Sequence, residues 1–174
     1  MLERHRLFIS YRHSREDLYY KLQLDRLFAD KYINKSVVSG EYDPDNSDEY
    51  IKRLIREDKI SSSSVIIVLC GPDTWGRKHI DWEISAGLNK KVNGLSGLVC
   101  VWLPNHPDYG LDKYKPALIP PRLAANMKSG YAKGYDWDYF VNNYRSIIEE
   151  AFDNRVKLAD LADNSLPQME RNRN

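Results

Sequence analysis

The sequence has no long apolar stretch, no excess of either charge and few cysteines. Its longest uninterrupted apolar runs, Val65–Cys70 and Leu98–Leu103, are far short of the roughly 20 residues that cross a bilayer. The opening residues Met1–Arg6 lack the apolar core of a signal peptide. With 26 Lys and Arg against 25 Asp and Glu, the formal net charge is +1, which argues against nucleic acids and anionic membranes as partners. We therefore expect a cytoplasmic protein that binds neither nucleic acid nor membrane.

Several motifs that bind phosphate or carry a nucleophile are also missing. The sequence contains no Gly-x-Gly-x-x-Gly, no P-loop and no Gly-x-Ser-x-Gly, so ordinary dinucleotide, P-loop and nucleophile-elbow sites are unsupported. His79 and Glu83 have a spacing that suits a metal, but no third ligand is placed, and we predict no metal site. Cys70 and Cys100 lie in apolar runs, which favours buried free thiols over a disulfide or redox pair.

Short apolar runs alternate with amphipathic helical stretches along the chain. This β-α-β-α-β-α-β order predicts an α/β fold, a flavodoxin-like three-layer sandwich whose mostly parallel sheet has helices on both faces. An edge strand near Met127–Tyr131 and a last helix from Trp137 to about Leu161 follow. The domain is expected to span residues 1–160, with a polar, flexible tail over residues 161–174. The predicted strands are Leu7–Tyr11, Val37–Val38, Val65–Cys70 and Leu98–Leu103.

The loops after the first and third strands are the predicted ligand site. In an open parallel sheet, ligands bind beyond the carboxyl ends of the strands where the strand order reverses, which is between these two strands in a flavodoxin-like order. Arg12 and Arg77 could meet phosphates. Tyr11 and Trp75 could stack on a base or ring. Because loops are commonly polar, each residue alone could equally be an ordinary surface residue.

Glu83 is the candidate for chemistry on the third helix. It immediately precedes Ile84, a core position, and so lies at the edge of the buried face of the helix. A carboxylate held beside Trp82 at an apolar boundary could have a raised pKa or could face a cationic substrate. An ordinary surface glutamate is the alternative that spacing alone leaves open.

Four segments in order resemble TIR-like domains (Toll/interleukin-1 receptor), and in particular the bacterial Thoeris-type branch. Leu7–Tyr11 is similar to the opening strand motif of the family. Ser64–Trp75 and Arg77–Ile84 resemble the third strand and third helix of that branch, and Ile119–Leu123 is similar to a later segment. The resemblance covers about residues 5–155.

This resemblance implies a TIR-like domain that cleaves the nicotinamide–ribose bond of NAD, with NAD as its substrate and no other cofactor. It implies that Glu83 is the catalytic residue. The family often has tryptophan four residues before this glutamate, where the present chain has His79. Together with the loop residues above, the expected substrate-binding set is Ser10, Tyr11, Arg12, His13, Trp75, Arg77 and Trp82.

The resemblance also implies partners. The product would be a cyclic or modified ADP-ribose messenger for a separate effector protein in anti-phage defence, since few residues lie beyond the resemblance. Self-association through TIR–TIR contacts is expected, with the acidic loop Glu41–Asp48 in the place of the family's BB loop. Two alternatives remain: a non-enzymatic TIR-type assembly module, and an enzyme similar to nucleoside deoxyribosyltransferases.

Overall fold

The chain forms a parallel sheet with the strand order that the sequence predicts. A computed structural model describes residues 4–35, 47–55, 60, 62–89 and 94–174. Within these ranges a five-stranded sheet has the order β2-β1-β3-β4-β5, and every neighbouring pair of strands is parallel. The strands are β1 Arg6–Ser10, β2 Ile33–Asn34, β3 Val65–Cys70, β4 Gly97–Trp102 and β5 Lys133–Asp136. This confirms the flavodoxin-like α/β fold.

Helices cover both faces of the sheet, so the three-layer arrangement is also confirmed. On one face the apolar side chains of α1 and α5 pack against the strands, and on the other face those of α2, α3 and α4 do so. The helices within the described ranges are α1 Arg15–Phe28, α2 Asp48–Leu54, α3 Lys78–Gly87, α4 Pro121–Ser129 and α5 Trp137–Lys157. The side chain of Ser14 caps α1 by accepting a hydrogen bond from the Asp17 amide.

The alternation of side chains along β1 determines which residues face α3. Leu7 and Ile9 belong to the core beneath α1 and α5, whereas Phe8 belongs to the core beneath α3. Because successive side chains of a strand point to opposite faces, Ser10 follows Phe8 toward α3. This places a hydroxyl on the face of the sheet that carries Glu83.

The expected edge strand near Met127–Tyr131 is wrong. These residues lie in and just after α4, which continues to Ser129, and the edge strand follows at Lys133–Asp136. Pro121 suits the first turn of this helix, and Gly130 ends it in the left-handed conformation at φ 88°. The strand predicted at Val37–Val38 lies outside the described residues, and the sheet position next to β1 is taken by Ile33–Asn34.

The polar tail, for which the sequence predicts fraying, is docked on α3 in the structure. Met169 is only 5% exposed. Its amide donates to Asp81 Oδ2 at 2.8 Å, and its carbonyl accepts from Trp82 Nε1 at 2.8 Å. The sequence lacks a periodic signal here because the segment is held by backbone hydrogen bonds, which any residue type can make.

The remaining sequence expectations concern thiols and membranes. Cys70 and Cys100 are buried free thiols, as predicted, with their Sγ atoms 3.7 Å apart. Of the helices in the described ranges, none combines the length and apolarity that crossing a bilayer requires.

Candidate functional site

A cleft of about 260 Å³ opens where the carboxyl ends of β1 and β3 meet the start of α3. This is the point at which the strand order reverses. The structure brings five of the sequence-predicted residues to it, together with three others. The lining residues are Tyr11, Arg12, His13, Arg77, His79, Ile80, Glu83 and Asn172.

Glu83 is a buried carboxyl group in the wall of this cleft. The residue is 3% exposed, since Ile80 and Ile84 on either side of it pack into the core beneath α3. Burial raises its pKa from 4.5 to about 8, and the nearby Ser10 hydroxyl opposes that rise. Within the described chain Glu83 Oε2 has no hydrogen-bond partner. This group is therefore mostly a neutral acid at pH 7, with an acceptor oxygen that no donor among the described residues satisfies.

Ser10 adds a second unsatisfied polar group on the same face. It is 0% exposed, and its Oγ also lacks a hydrogen-bond partner among the residues described. A buried polar atom without a partner is uncommon and costs about 1–3 kcal/mol. Because the Ser10 hydroxyl lies close enough to Glu83 to lower the pKa of its carboxyl group, the two side chains form one buried polar pair next to the cleft.

Two arginines supply positive charge at the cleft, and both guanidinium groups donate hydrogen bonds to acceptors of the protein itself. Arg12 Nη1 donates to Asp73 Oδ2 at 2.6 Å, and both side chains are partly exposed. Such surface pairs contribute about 0–1 kcal/mol, so a ligand phosphate can replace the Asp73 carboxylate. Arg77 Nη2 donates to the carbonyl of Arg173 at 2.6 Å. Arg77 Nε is buried without a partner among the described residues.

Tyr11 and His13 form the aromatic part of the cleft. Their ring centres are 4.6 Å apart and tilted by 31°. Tyr11 is buried, so its ring is pre-positioned rather than free to rotate in solvent. These two side chains make one wall of the cleft aromatic.

The structure does not bring Trp75 or Trp82 to the cleft. Trp75 is half-buried in the short 3₁₀ turn Thr74–Gly76. Trp82 is 1% exposed and donates to the Met169 carbonyl. Neighbouring residues on a helix point about 100° apart, and here Trp82 is directed at Met169 whereas Glu83 lines the cleft. The role expected for Trp82 thus becomes a structural one.

Sequence analysis assigned no cleft position to His79, Ile80 and Asn172. The pKa of His79 is lowered by burial and by the positive charge of Lys78 and His13. Its spacing four residues before Glu83 was a usable signal, because such residues share a helix face. Asn172 carried no signal, since it reaches the cleft only through the docked tail. No group of three or more His, Cys, Asp or Glu side chains that could hold a metal occurs in the described ranges.

Asp17 is a further buried acid, beneath the loop that follows β3. It is 3% exposed, and burial raises its pKa to about 6, an effect that Arg12 opposes. A Cβ on Gly71 would lie 2.8 Å from Asp17 Oδ1, so this turn needs glycine. Asp17 supports the cleft loops from below and does not line the cleft.

The chain is similar to a known protein family and to solved structures. The model of the family described as Thoeris protein ThsB, TIR-like domain, matches residues 8–108. No curated protein matches the chain. A solved structure titled "Structure of the activated Roq1 resistosome directly recognizing the pathogen effector XopQ (TIR domains)" aligns over 90% of this chain and 84% of that chain, at 12% identity and a TM-score of 0.41. The family match contains every residue that lines the cleft except Asn172.

Proposed function

Because the chain belongs to the family of Thoeris ThsB proteins with a TIR-like domain, we propose that it is an NAD nucleosidase with Glu83 as its catalytic residue. The observation that carries this proposal is the buried Glu83 carboxyl in the cleft wall, whose Oε2 has no hydrogen-bond partner in the described chain. Burying a carboxyl group in an apolar wall lowers the stability of the folded protein. Carboxyl groups in such surroundings are typical of functional sites.

The reaction needs few catalytic groups of the protein besides this carboxyl group. The nicotinamide of NAD is already cationic, so it leaves as a neutral ring when the glycosidic electron pair moves to its nitrogen. Positive charge then develops at the ribose carbon, as in glycoside hydrolysis, and a carboxylate beside the sugar stabilises it. Attack by water, with loss of a proton, gives ADP-ribose. Attack by a group of the same ADP-ribose gives a cyclic product.

The raised pKa of Glu83 is compatible with this role. Before a substrate binds, the acid is mostly protonated at pH 7, because its pKa is about 8. A cationic nicotinamide ring beside it favours the ionised form, since an opposite charge lowers the pKa of an acid. The apolar surroundings then strengthen the attraction between the carboxylate and the developing positive charge.

The other lining residues suit the rest of the substrate. Tyr11 and His13 present flat surfaces for the nicotinamide ring, and Arg12 can exchange Asp73 for a phosphate oxygen. The cleft volume of about 260 Å³ is at the lower edge of the range of roughly 300–1,000 Å³ for small-molecule sites. We infer that it takes the nicotinamide riboside end and that the remainder of NAD lies at its mouth.

We propose further that the product is a cyclic or modified ADP-ribose that acts on a separate effector in anti-phage defence, and that copies of this chain assemble through TIR–TIR contacts. Family membership supports these proposals. Residues 41–46 of the loop Glu41–Asp48, which we expect to take part in assembly, lie outside the described residues. The buried free thiols Cys70 and Cys100 suit the reducing cytoplasm.

The direct test is incubation of the purified protein with NAD, alone and with lysate of phage-infected cells, followed by mass spectrometry. We expect nicotinamide release by the unchanged protein and a decrease of at least about 100-fold in Glu83→Gln, in line with the loss of one stabilising group at a developing charge. Glu150→Gln is the matched control because its carboxyl is exposed and pairs with the exposed Lys133. Intact NAD under every condition, or equal turnover by Glu83→Gln, would refute the proposal. Cleavage of nucleosides instead of NAD would favour the deoxyribosyltransferase alternative.

The pH dependence gives a second prediction. We expect nicotinamide release at low NAD concentration to rise about tenfold per pH unit below pH 8 and to level off above it, because the ionised form of Glu83 is required and its pKa is about 8. Asp17 titrates near pH 6, so Asp17→Asn should leave the rise above pH 7 unchanged. A rate that is constant or falls between pH 6.5 and 8 would show that Glu83 does not act as a carboxylate.

A further inference from the structure

The last residues of the chain, which we call the terminal segment (residues 168–174), lie along the start of α3 and reach the cleft. After the contacts of Met169 with Asp81 and Trp82, the Arg173 amide donates to the Gly76 carbonyl at 2.8 Å. Asn172 then lines the cleft itself. The terminal segment is thus attached by backbone hydrogen bonds on both sides of Asn172.

The terminal segment also supplies the cap of α3. Arg77, at the N-cap position, makes no side-chain capping hydrogen bond. Instead the Lys78 amide donates to Asn172 Oδ1 at 2.9 Å. The first amides of a helix have no partners within the helix and favour acceptors, including anions. Asn172 therefore holds a position that an anionic oxygen could also take.

Arg77 likewise donates to neutral acceptors at a position where an anion could accept its hydrogen bonds. Its Nη2 donates to the Arg173 carbonyl at 2.6 Å and to Asn174 Oδ1 at 3.5 Å. Neither acceptor carries a charge, and the buried Nε of Arg77 has no partner in the described chain. A phosphate can accept two parallel hydrogen bonds from a guanidinium, and such charge-assisted bonds are roughly twice as strong as neutral ones.

We propose that residues 172–174 occupy the diphosphate subsite of the cleft, and that a diphosphate ester binding at Arg77 displaces them. The identity of the ester as NAD rests on the function proposed above. Displacement opens the wall that Asn172 forms and exposes both the Arg77 guanidinium and the Lys78 amide to the diphosphate. The terminal segment therefore acts as an internal competitor that lowers the affinity of the site.

Gly76 offers a way to release the terminal segment without shortening the chain. A Cβ on Gly76 would overlap the Arg173 carbonyl oxygen, and the backbone of Gly76 is not in the left-handed region. Gly76→Ala should therefore undock the segment while Arg77 keeps its side chain. Asn172→Ala is a second route because it removes the acceptor of the Lys78 amide. Glu170→Gln, at an exposed position of the same segment, is the matched control.

The test measures the binding of inorganic pyrophosphate and of ADP-ribose by calorimetry, and hydrogen exchange of the Arg173 amide. We expect pyrophosphate to speed exchange at Arg173 in the unchanged protein. If the segment is docked about nine-tenths of the time, Gly76→Ala and Asn172→Ala should bind pyrophosphate about tenfold more tightly. Glu170→Gln should match the unchanged protein, and Arg77→Gln should lose binding.

Several results would overturn the proposal. These are continued protection of the Arg173 amide while pyrophosphate is bound, unchanged affinity in both releasing variants, or no pyrophosphate binding by any variant. Glu83→Gln should bind pyrophosphate normally. If these binding results are obtained but no form of the protein cleaves NAD, the proposed function is wrong. The proposal that residues 172–174 occupy a diphosphate subsite is then still supported.

Discussion

Replacing Glu83 by glutamine is expected to stabilise the folded protein at pH 8 by several kcal/mol. The pKa of Glu83 is about 8 in the folded state, against an ordinary value of 4.5. Between these values the folded chain keeps a proton that the unfolded chain has lost, so the contribution of this residue to stability falls as the pH rises. At about 1.36 kcal/mol per unit, the loss is on the order of 3–5 kcal/mol at pH 8. A glutamine side chain does not ionise, so it causes no such loss of stability as the pH rises.

The measurement is the free energy of unfolding in urea at several pH values from 5 to 8.5. The difference between Glu83→Gln and the unchanged protein should be small near pH 5 and should grow toward pH 8. Glu150→Gln, whose carboxyl is exposed and paired with Lys133, should show no such growth. Parallel curves for Glu83→Gln and the unchanged protein would mean that burial does not raise the pKa of this carboxyl group. A Glu83→Gln variant that is more stable near pH 8 but inactive would indicate that Glu83 serves the reaction and destabilises the fold.

Replacing Arg122 by methionine is expected to lower the free energy of unfolding by about 3–5 kcal/mol. Arg122 is 1% exposed, and its Nε donates to Asp81 Oδ1 at 2.9 Å across the α3–α4 interface. The same guanidinium donates to Asn164 Oδ1 at 2.8 Å and to the Pro167 carbonyl at 3.2 Å. Its loss leaves the Asp81 carboxylate buried without its cationic partner, although the Met169 amide still donates to it. It also loosens the residues that precede the terminal segment.

The control for this prediction is Lys133→Met, which breaks the exposed pair with Glu150 and should cost less than about 1 kcal/mol. Hydrogen exchange at the Met169 amide should rise in Arg122→Met and stay unchanged in Lys133→Met. If both variants unfold at the same urea concentration, the buried ion pair does not hold α3 and α4 together.

The sheet and its covering helices follow from local patterns. β3 is apolar at every position, and all six of its residues are buried, as expected for a strand covered on both faces. The position of Glu83 at the rim of a core-facing helix also followed from its neighbour Ile84. Tyr11, Arg12, His13 and Arg77 could be placed near it because the strand order brings their loops together.

Side-chain direction around α3 could not be predicted. Every residue from Ile80 to Gly87 is buried, so the helix has no exposed stripe from which to orient its faces. Both Trp82 and Glu83 were therefore expected in the site on the family resemblance. The structure points Trp82 at Met169 and leaves Glu83 in the cleft wall.

The sequence by itself determined the alternation of strands and helices and the edge of the sheet at which a ligand is expected to bind. These depend on hydrophobic periodicity, which each segment carries within itself. Only the tertiary structure decided which side chains share the cleft and that residues 168–174 reach it. The decisive contacts, such as that between Trp82 and Met169, join residues 87 positions apart. They run through backbone carbonyls and amides that are the same in every residue, so no sequence pattern marks them.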